Sequence, residues 1–320
     1  MRYMRTPPQQ GLRASGLRTR RRQITRPFGT NRRNVDRGCN APSVQIRPPK
    51  DQDPKRCRLC GEERPLTFEH IPPRAAYNRG RVSMLGIEAW LAHDADPDGP
   101  APKRRIQQRG SGAYSLCAEC NNLTGRLYVP ELRAWVQAGA EGLFGNPGLA
   151  AQFREEQRTV YAEWKLQSCR PGRFLKQVAT MLLAMSPPGL GDRFPELRNY
   201  ARDPGKVGLP TELQFYLALY AGPNSRYVAG GAEASLDGGG IHHVYELAAP
   251  PFAYILSLAE QTPAIEAGNI SNFATVGIDD TANVEMQMII GYGETPFPLD
   301  FRSPAAMRAD IAASEAAMGA

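Results

Sequence analysis

The chain has 320 residues and a net charge of +7, enough for one large or two modest domains. No uninterrupted apolar run approaches the roughly 18–20 residues of a membrane span, so the chain reads as soluble. Its six cysteines, four of them in C-x-x-C pairs, suit metal binding in a reducing, cytoplasmic compartment better than a disulfide framework. The charge is unevenly placed. Residues 1–56 carry +12 and 57–320 carry −5, while 171–320 alone carry −7, a poor basis for a phosphate-binding surface.

Residues 1–55 are rich in Arg, Pro, Gly, Gln and Asn, with no helical or strand periodicity. Such a segment buries too little apolar area to offset its ordering entropy, so disorder is expected. Three readings stand side by side: a basic arm tracking nucleic acid, an organelle transit peptide, or non-functional sequence ahead of the true start.

Residues 56–170 are expected to form a metal-centred module with a trailing helix. Cys57-Arg-Leu-Cys60 and Cys117-Ala-Glu-Cys120 each place two thiolates on a tight turn. Together they supply the four soft ligands that tetrahedral Zn²⁺ prefers, in a closed site that builds structure and leaves chemistry to other groups. Between the pairs, Val82–Leu91 predicts a short helix and Asp94–Pro102 a loop. After them, Asn122 to Trp135 has helical character broken at Pro130. A further helix is predicted over Ala150–Gln167, from the spacing of Phe153, Val160, Tyr161 and Trp164. Cys39 and Cys169 receive no role.

Pro171-Gly172 punctuates an expected boundary, and 171–320 reads as a second, mainly β domain opened by a helix. The helix is Phe174–Met185, with Leu175, Val178, Met181, Leu182 and Met185 on one face. Strand-like runs follow at 213–220, 244–247, 252–258 and 284–290, separated by turn clusters. No internal repeat is visible. This acidic half is expected to contact a protein partner or a second copy of the chain.

The candidate chemistry sits between the cysteine pairs, at Glu69-His70, and directly after them, at Asn121. Phosphodiester hydrolysis needs a base for water and a cation to stabilise the developing charge. Imidazole suits the first role, because its pKa lies near operating pH. A hard oxygen beside it suits Mg²⁺ or another divalent cation. Adjacent strand residues point to opposite sides, so Glu69 and His70 can cooperate only at a turn or strand end, which Ile71-Pro72-Pro73 supplies.

Three segments carry a family resemblance: Cys57-x-x-Cys60, Leu66-Thr-Phe-Glu-His-Ile-Pro72, and Leu116-Cys-Ala-Glu-Cys-Asn-Asn-Leu-Thr-Gly125. They resemble the HNH endonuclease superfamily, in its zinc-stapled ββα-metal branch. The resemblance covers about 70 of the 320 residues. It implies His70 as general base, Glu69 and Asn121 as ligands of a catalytic divalent cation, and Cys57, Cys60, Cys117 and Cys120 around a structural zinc. The implied function is metal-dependent endonuclease cleavage of nucleic acid, foremost DNA. A ribonuclease of the same mechanism and a non-catalytic zinc-ribbon binding module are the alternatives.

Two departures from the family pattern stand out. The middle Asn that orients the base in many members is absent, with Ser111, Gly112 and Tyr114 in its place. The stretch from Cys60 to Cys117 is also long, so residues 77–110 must loop out. Asn122 is the fallback ligand, and a capping role competes for Asn121. Thr124, Gly125 and Arg126 at a helix start, Arg74, and Lys103-Arg104-Arg105 are candidate phosphate contacts or solvated charges. His242-His243 reads as structural.

Overall fold

In the computed structural model, the described residues are 55–95, 99–145, 161–222, 224–234, 241–258, 267–291 and 299–300, with isolated positions near the C-terminus. The basic segment up to residue 54, and with it Cys39, lies outside them. Strand β1 (Leu66–His70) pairs antiparallel with β4 (Gly112–Cys117), and between them β2 (Val82–Met84) pairs with β3 (Arg105–Gln107). Helix α1 (Ile87–Ala95) lies between β2 and β3 in the chain, and α2 (Ala118–Leu127) and α3 (Val129–Phe144) follow β4.

Past residue 160 come β5 (Tyr161–Cys169), α4 (Pro171–Met185), α5 (Gly189–Arg193) and α6 (Pro195–Arg202). Strands β6 (Leu213–Tyr220), β7 (Arg226–Ala234), β8 (Ile241–Ala249), β9 (Phe252–Leu258), β10 (Gly268–Asn269) and β11 (Ala282–Gly291) complete the order. One seven-stranded sheet runs β5-β11-β6-β9-β8-β7, with β10 beside β6. The fold is therefore mixed α and β. No described helix is long and apolar enough to cross a membrane.

Three local expectations are corrected. The segment expected to be helical up to Gln167 is instead β5 from Tyr161, while 150–160 lie outside the described residues. Its side chains alternate, with Glu163, Lys165 and Gln167 exposed and Trp164 buried. Lys165 also meets Glu285 across the β5–β11 register at 2.9 Å. Within Val82–Leu91, the first residues form β2, and the helix begins only at Ile87. The break expected at Pro130 falls at Tyr128, and Pro130 sits in the first turn of α3, where a missing N–H costs no helical bond.

The boundary expected at Pro171 is not a break in packing. The described residues from 55 onward form one unit by their contacts. β5, from the first half, supplies an edge strand to β11, near the end of the second. A single hydrophobic cluster joins Leu59, Leu116 and Cys120 near the cysteines to Leu132 and Trp135 of α3, Phe174 of α4 and Phe252 of β9. Trp135 stacks on Phe174 with ring centroids 3.8 Å apart, and Trp164 lies 4.8 Å from Trp135. A Cβ at Gly139 would come within 2.6 Å of the Phe252 ring, so glycine is what allows α3 to approach the sheet so closely.

Candidate functional site

The two C-x-x-C turns meet at the open end of the β1–β4 hairpin. The Sγ atoms of Cys57, Cys60, Cys117 and Cys120 all lie within 4.8 Å of one another. Cys60 and Cys117 are 3.9 Å apart, close to the edge of about 3.8 Å that a tetrahedron with Zn–S bonds near 2.3 Å requires. The Cys117 backbone N–H donates to Cys57 Sγ at 3.3 Å, as it would to a metal-bound thiolate.

The electrostatics of the cluster point the same way. The Cys120 thiol, with backbone N–H groups of Cys60 and Cys117 adding, pulls Cys57 down to about 4 against its burial. Burial pushes Cys60 up to about 11, and interaction with Cys57 first, then burial, pushes Cys120 upward too. Four sulfurs this close, three of them buried, cannot all be thiolates without a cation among them. A dication relieves that conflict, and the donor set fits zinc.

Glu69 and His70 end β1. Strand alternation puts Phe68 and His70 on one face, where their rings meet edge-on at 5.0 Å, and Glu69 on the other with Thr67. Gly112, the cross-strand partner of His70, has no room for a side chain, because a Cβ there would lie 2.1 Å from the Glu69 carbonyl oxygen. Glycine thus lets β4 close on the strand that carries both residues.

His70 Nε2 is 3.0 Å from the carbonyl oxygen of Arg109. A carbonyl only accepts, so Nε2 carries the proton, and in the neutral ring the lone pair falls on Nδ1. Burial holds the imidazole below its ordinary pKa and the charge of Arg74 adds to this, while the Arg109 bond opposes both. The Arg109 carbonyl thus holds His70 Nε2 where the sequence offers no side chain to do so. Ser111, Gly112 and Tyr114 do other work: Ser111 Oγ donates to the Ile71 carbonyl at 2.7 Å and meets the Tyr227 hydroxyl of β7. Tyr227 in turn donates to the Ile71 carbonyl at 2.7 Å. The large sheet thereby grips the residue next to His70.

Glu69 is 7 % exposed and has no hydrogen-bond or ion-pair partner among the described residues. Burial alone pushes its carboxyl up to about 7. Asn121 sits in the first turn of α2, where its Nδ2 donates to Thr67 Oγ1 at 3.0 Å. Its Oδ1 stays outside any hydrogen bond among the described residues. The capping role that competed for Asn121 is not seen, since the residue lies inside the helix and Cys117 is its N-cap.

Asn122 is exposed. Thr124 is buried and donates to the Asn121 carbonyl at 3.2 Å, while Arg126 is exposed. His242-His243 fall within β8. Cys169 is buried, donates to the Ala282 carbonyl at 3.3 Å, and is pushed up to about 11 by that burial. The Arg109 carbonyl and Tyr227 were invisible from sequence: one is a backbone group, and the other lies 157 positions from His70.

Comparison of the chain with protein-family models, with curated proteins and with solved structures returns no match.

Proposed function

We propose that this protein is a metal-dependent endonuclease of the HNH type, hydrolysing phosphodiester bonds in DNA. The observation that carries the reading is Glu69, a buried carboxylate with no protein partner, one residue from a histidine whose tautomer is fixed. A buried carboxylate without a partner is costly and is relieved either by protonation or by a cation, and a hard dication is the cation that its oxygens suit. Further support comes from the chain order. An antiparallel hairpin (β1, β4) leads through the last cysteine pair into α2, the order of elements in a ββα-metal module.

Glu69 and the Oδ1 of Asn121 are hard oxygen donors suited to Mg²⁺ or a similar ion. That ion, when bound, supplies Lewis-acid stabilisation of the negative charge that develops on the phosphate. His70 accepts a proton from water at Nδ1 while Nε2–H stays on the Arg109 carbonyl. Its lowered pKa keeps the ring neutral, and so ready as a base, at pH 7. The four-cysteine cluster fixes the backbone on which Asn121 sits.

One observation favours the non-catalytic zinc-module reading. Glu69 and His70 lie on opposite faces of β1, which suits two residues with separate packing roles. Incubation of supercoiled plasmid with purified protein and Mg²⁺ or Mn²⁺ separates the two readings. Nicking that His70→Ala abolishes, with zinc content and melting temperature retained, supports the nuclease. Intact plasmid under every metal condition supports the binding module.

A further inference from the structure

The two limbs of the insertion between the cysteine pairs carry basic residues and no acidic ones. Arg74, Arg79 and Arg81 lie on its outgoing limb, and Lys103, Arg104 and Arg105 on its return limb. All are exposed, and none makes an ion pair among the described residues. Elsewhere the described cations are mixed: Arg56 meets Asp192, Arg64 meets Glu62 and Glu119, Arg173 meets Asp279 and Arg202 meets Glu62, while Arg126, Arg133, Arg193 and Lys206 are exposed without an ion pair. The acids of residues 71–111 all fall at 88–98, on α1 and just after it, so both limbs are free of negative charge. A solvated charged face would normally mix signs. This one is single-signed, which costs self-repulsion and suits a polyanion.

The limbs are joined at their root and adjoin the candidate base. Asn78 Nδ2 donates to the Pro72 and Ser111 carbonyls at 2.6 and 2.8 Å, and Gly110 N–H donates to the Gly80 carbonyl at 2.7 Å. The Gln107 amide bonds the backbone of Gly112, the partner of His70, in both directions. Arg109 is the residue whose carbonyl holds His70. Between the limbs, β2 and β3 form a two-stranded antiparallel ribbon with Met84 opposite Arg105. Tyr77, between Arg74 and Arg79 in sequence, is 64 % exposed and held at φ +64°, a backbone region a bulky residue rarely adopts. An exposed aromatic among unpaired arginines fits contact with a nucleic acid.

We infer that the β2–β3 ribbon and its two basic limbs are the surface that holds the phosphate backbone of duplex DNA across the candidate site. The B-form major groove is about 12 Å wide and admits a two-stranded ribbon, whereas the A-form groove of duplex RNA is too narrow. The inference rests on the nuclease reading, and it makes the insertion, rather than the acidic sheet, the part that meets substrate.

The test is binding of the full, zinc-loaded chain to two unrelated DNA duplexes over a range of salt, in a His70→Ala background so that nothing is cut. Each phosphate contact contributes about 0.9 to the slope of log K against log salt. The K103A/R104A/R105A variant should flatten that slope by about 2–3 and weaken both duplexes by the same factor. Arg81→Gln with Arg105→Gln, one from each limb, should flatten it by about 2, and covers the case of a misfolded triple variant. Arg202→Ala, on a paired surface cation elsewhere, should leave it unchanged. Slopes equal to that of the parent in both multiple variants would overturn the inference, as would duplex RNA bound as tightly as DNA, or no salt-dependent binding at all. Plasmid nicking by the otherwise native chain is scored separately, so loss of the ribbon assignment and loss of the nuclease reading give different results.

Discussion

Glu69 makes the folded chain less stable than it could be. Its carboxyl titrates near 7 when folded, against about 4.3 in an unfolded chain. Between those values the folded state binds more protons than the unfolded one, so stability falls as pH rises through this window. The cost is absent below the unfolded value and full above the folded one, where it reaches about 3–4 kcal/mol. Glu69→Gln should therefore raise stability by about 1–3 kcal/mol at pH 8 without divalent cation, have little effect at pH 4, and abolish metal-dependent cleavage. Thermal melts of the pair at both pH values check this, and a destabilised variant at pH 8 would mean that Glu69 has an unrecognised partner.

Lys176 is the opposite case, a buried charge fully engaged. Its Nζ donates to the carbonyls of Tyr200, Asp203 and Lys206 at 2.5, 2.8 and 2.7 Å, closing the C-terminal end of α6, and it sits 3.9 Å over the Tyr200 ring. Lys176→Met keeps the volume but leaves those carbonyls without a donor. A loss of roughly 3 kcal/mol in denaturant unfolding is expected. A near-neutral result would show that water replaces the ammonium.

At the scale of elements, the hairpin, its inner ribbon and α2 hold together through few apolar residues, and the four cysteines lie at their junction. A metal bound at the four cysteines would therefore supply much of the local folding free energy. One Zn²⁺ per chain is expected by metal analysis. Chelation or Cys117→Ser should loosen residues 57–127 to hydrogen exchange before the large sheet opens. Protein that is metal-free and equally protected would contradict this.

Much at this scale was legible in the sequence. The paired cysteine spacing marked the cluster. The unbroken apolar runs of β6 and β9 reproduce to the residue, because burial on both faces of a strand leaves a continuous apolar run. α4 was legible as a helix, but its burial nearly all round, Lys176, Gln177 and Thr180 included, goes beyond the one apolar face its spacing showed. β5 was misread because Tyr161 and Trp164 are three apart, a helical spacing, and only its partner β11 reveals the strand. β7 carries Gly230-Gly231 and few large apolar residues, so nothing local marks it as the strand whose Tyr227 reaches Ile71. The roles of the Arg109 carbonyl and of Gly112 come from register, which a single sequence does not display.

Across the whole molecule, the shared core ties the candidate site to the sheet. Trp135 is fully buried, stacks on Phe174 and donates from Nε1 to Glu131 at 3.0 Å; Glu131 also accepts from the Arg170 N–H at 2.9 Å. Trp135→Ala should cost about 3–5 kcal/mol. Because one cluster spans both halves, the loss should appear as a single cooperative transition by calorimetry. Two separated transitions would restore the boundary at Pro171.

The central claim is that His70 takes a proton from water in a metal-dependent nuclease. It is tested most directly by the pH–rate profile of plasmid nicking at saturating Mn²⁺ for the zinc-loaded chain, beside His70→Ala. The rate should rise with pH through a single ionisation below the ordinary histidine value, and the variant should bind DNA and keep its zinc but lose nicking by at least about 100-fold. Equal nicking by the two proteins, or a profile unchanged by the substitution, would contradict it.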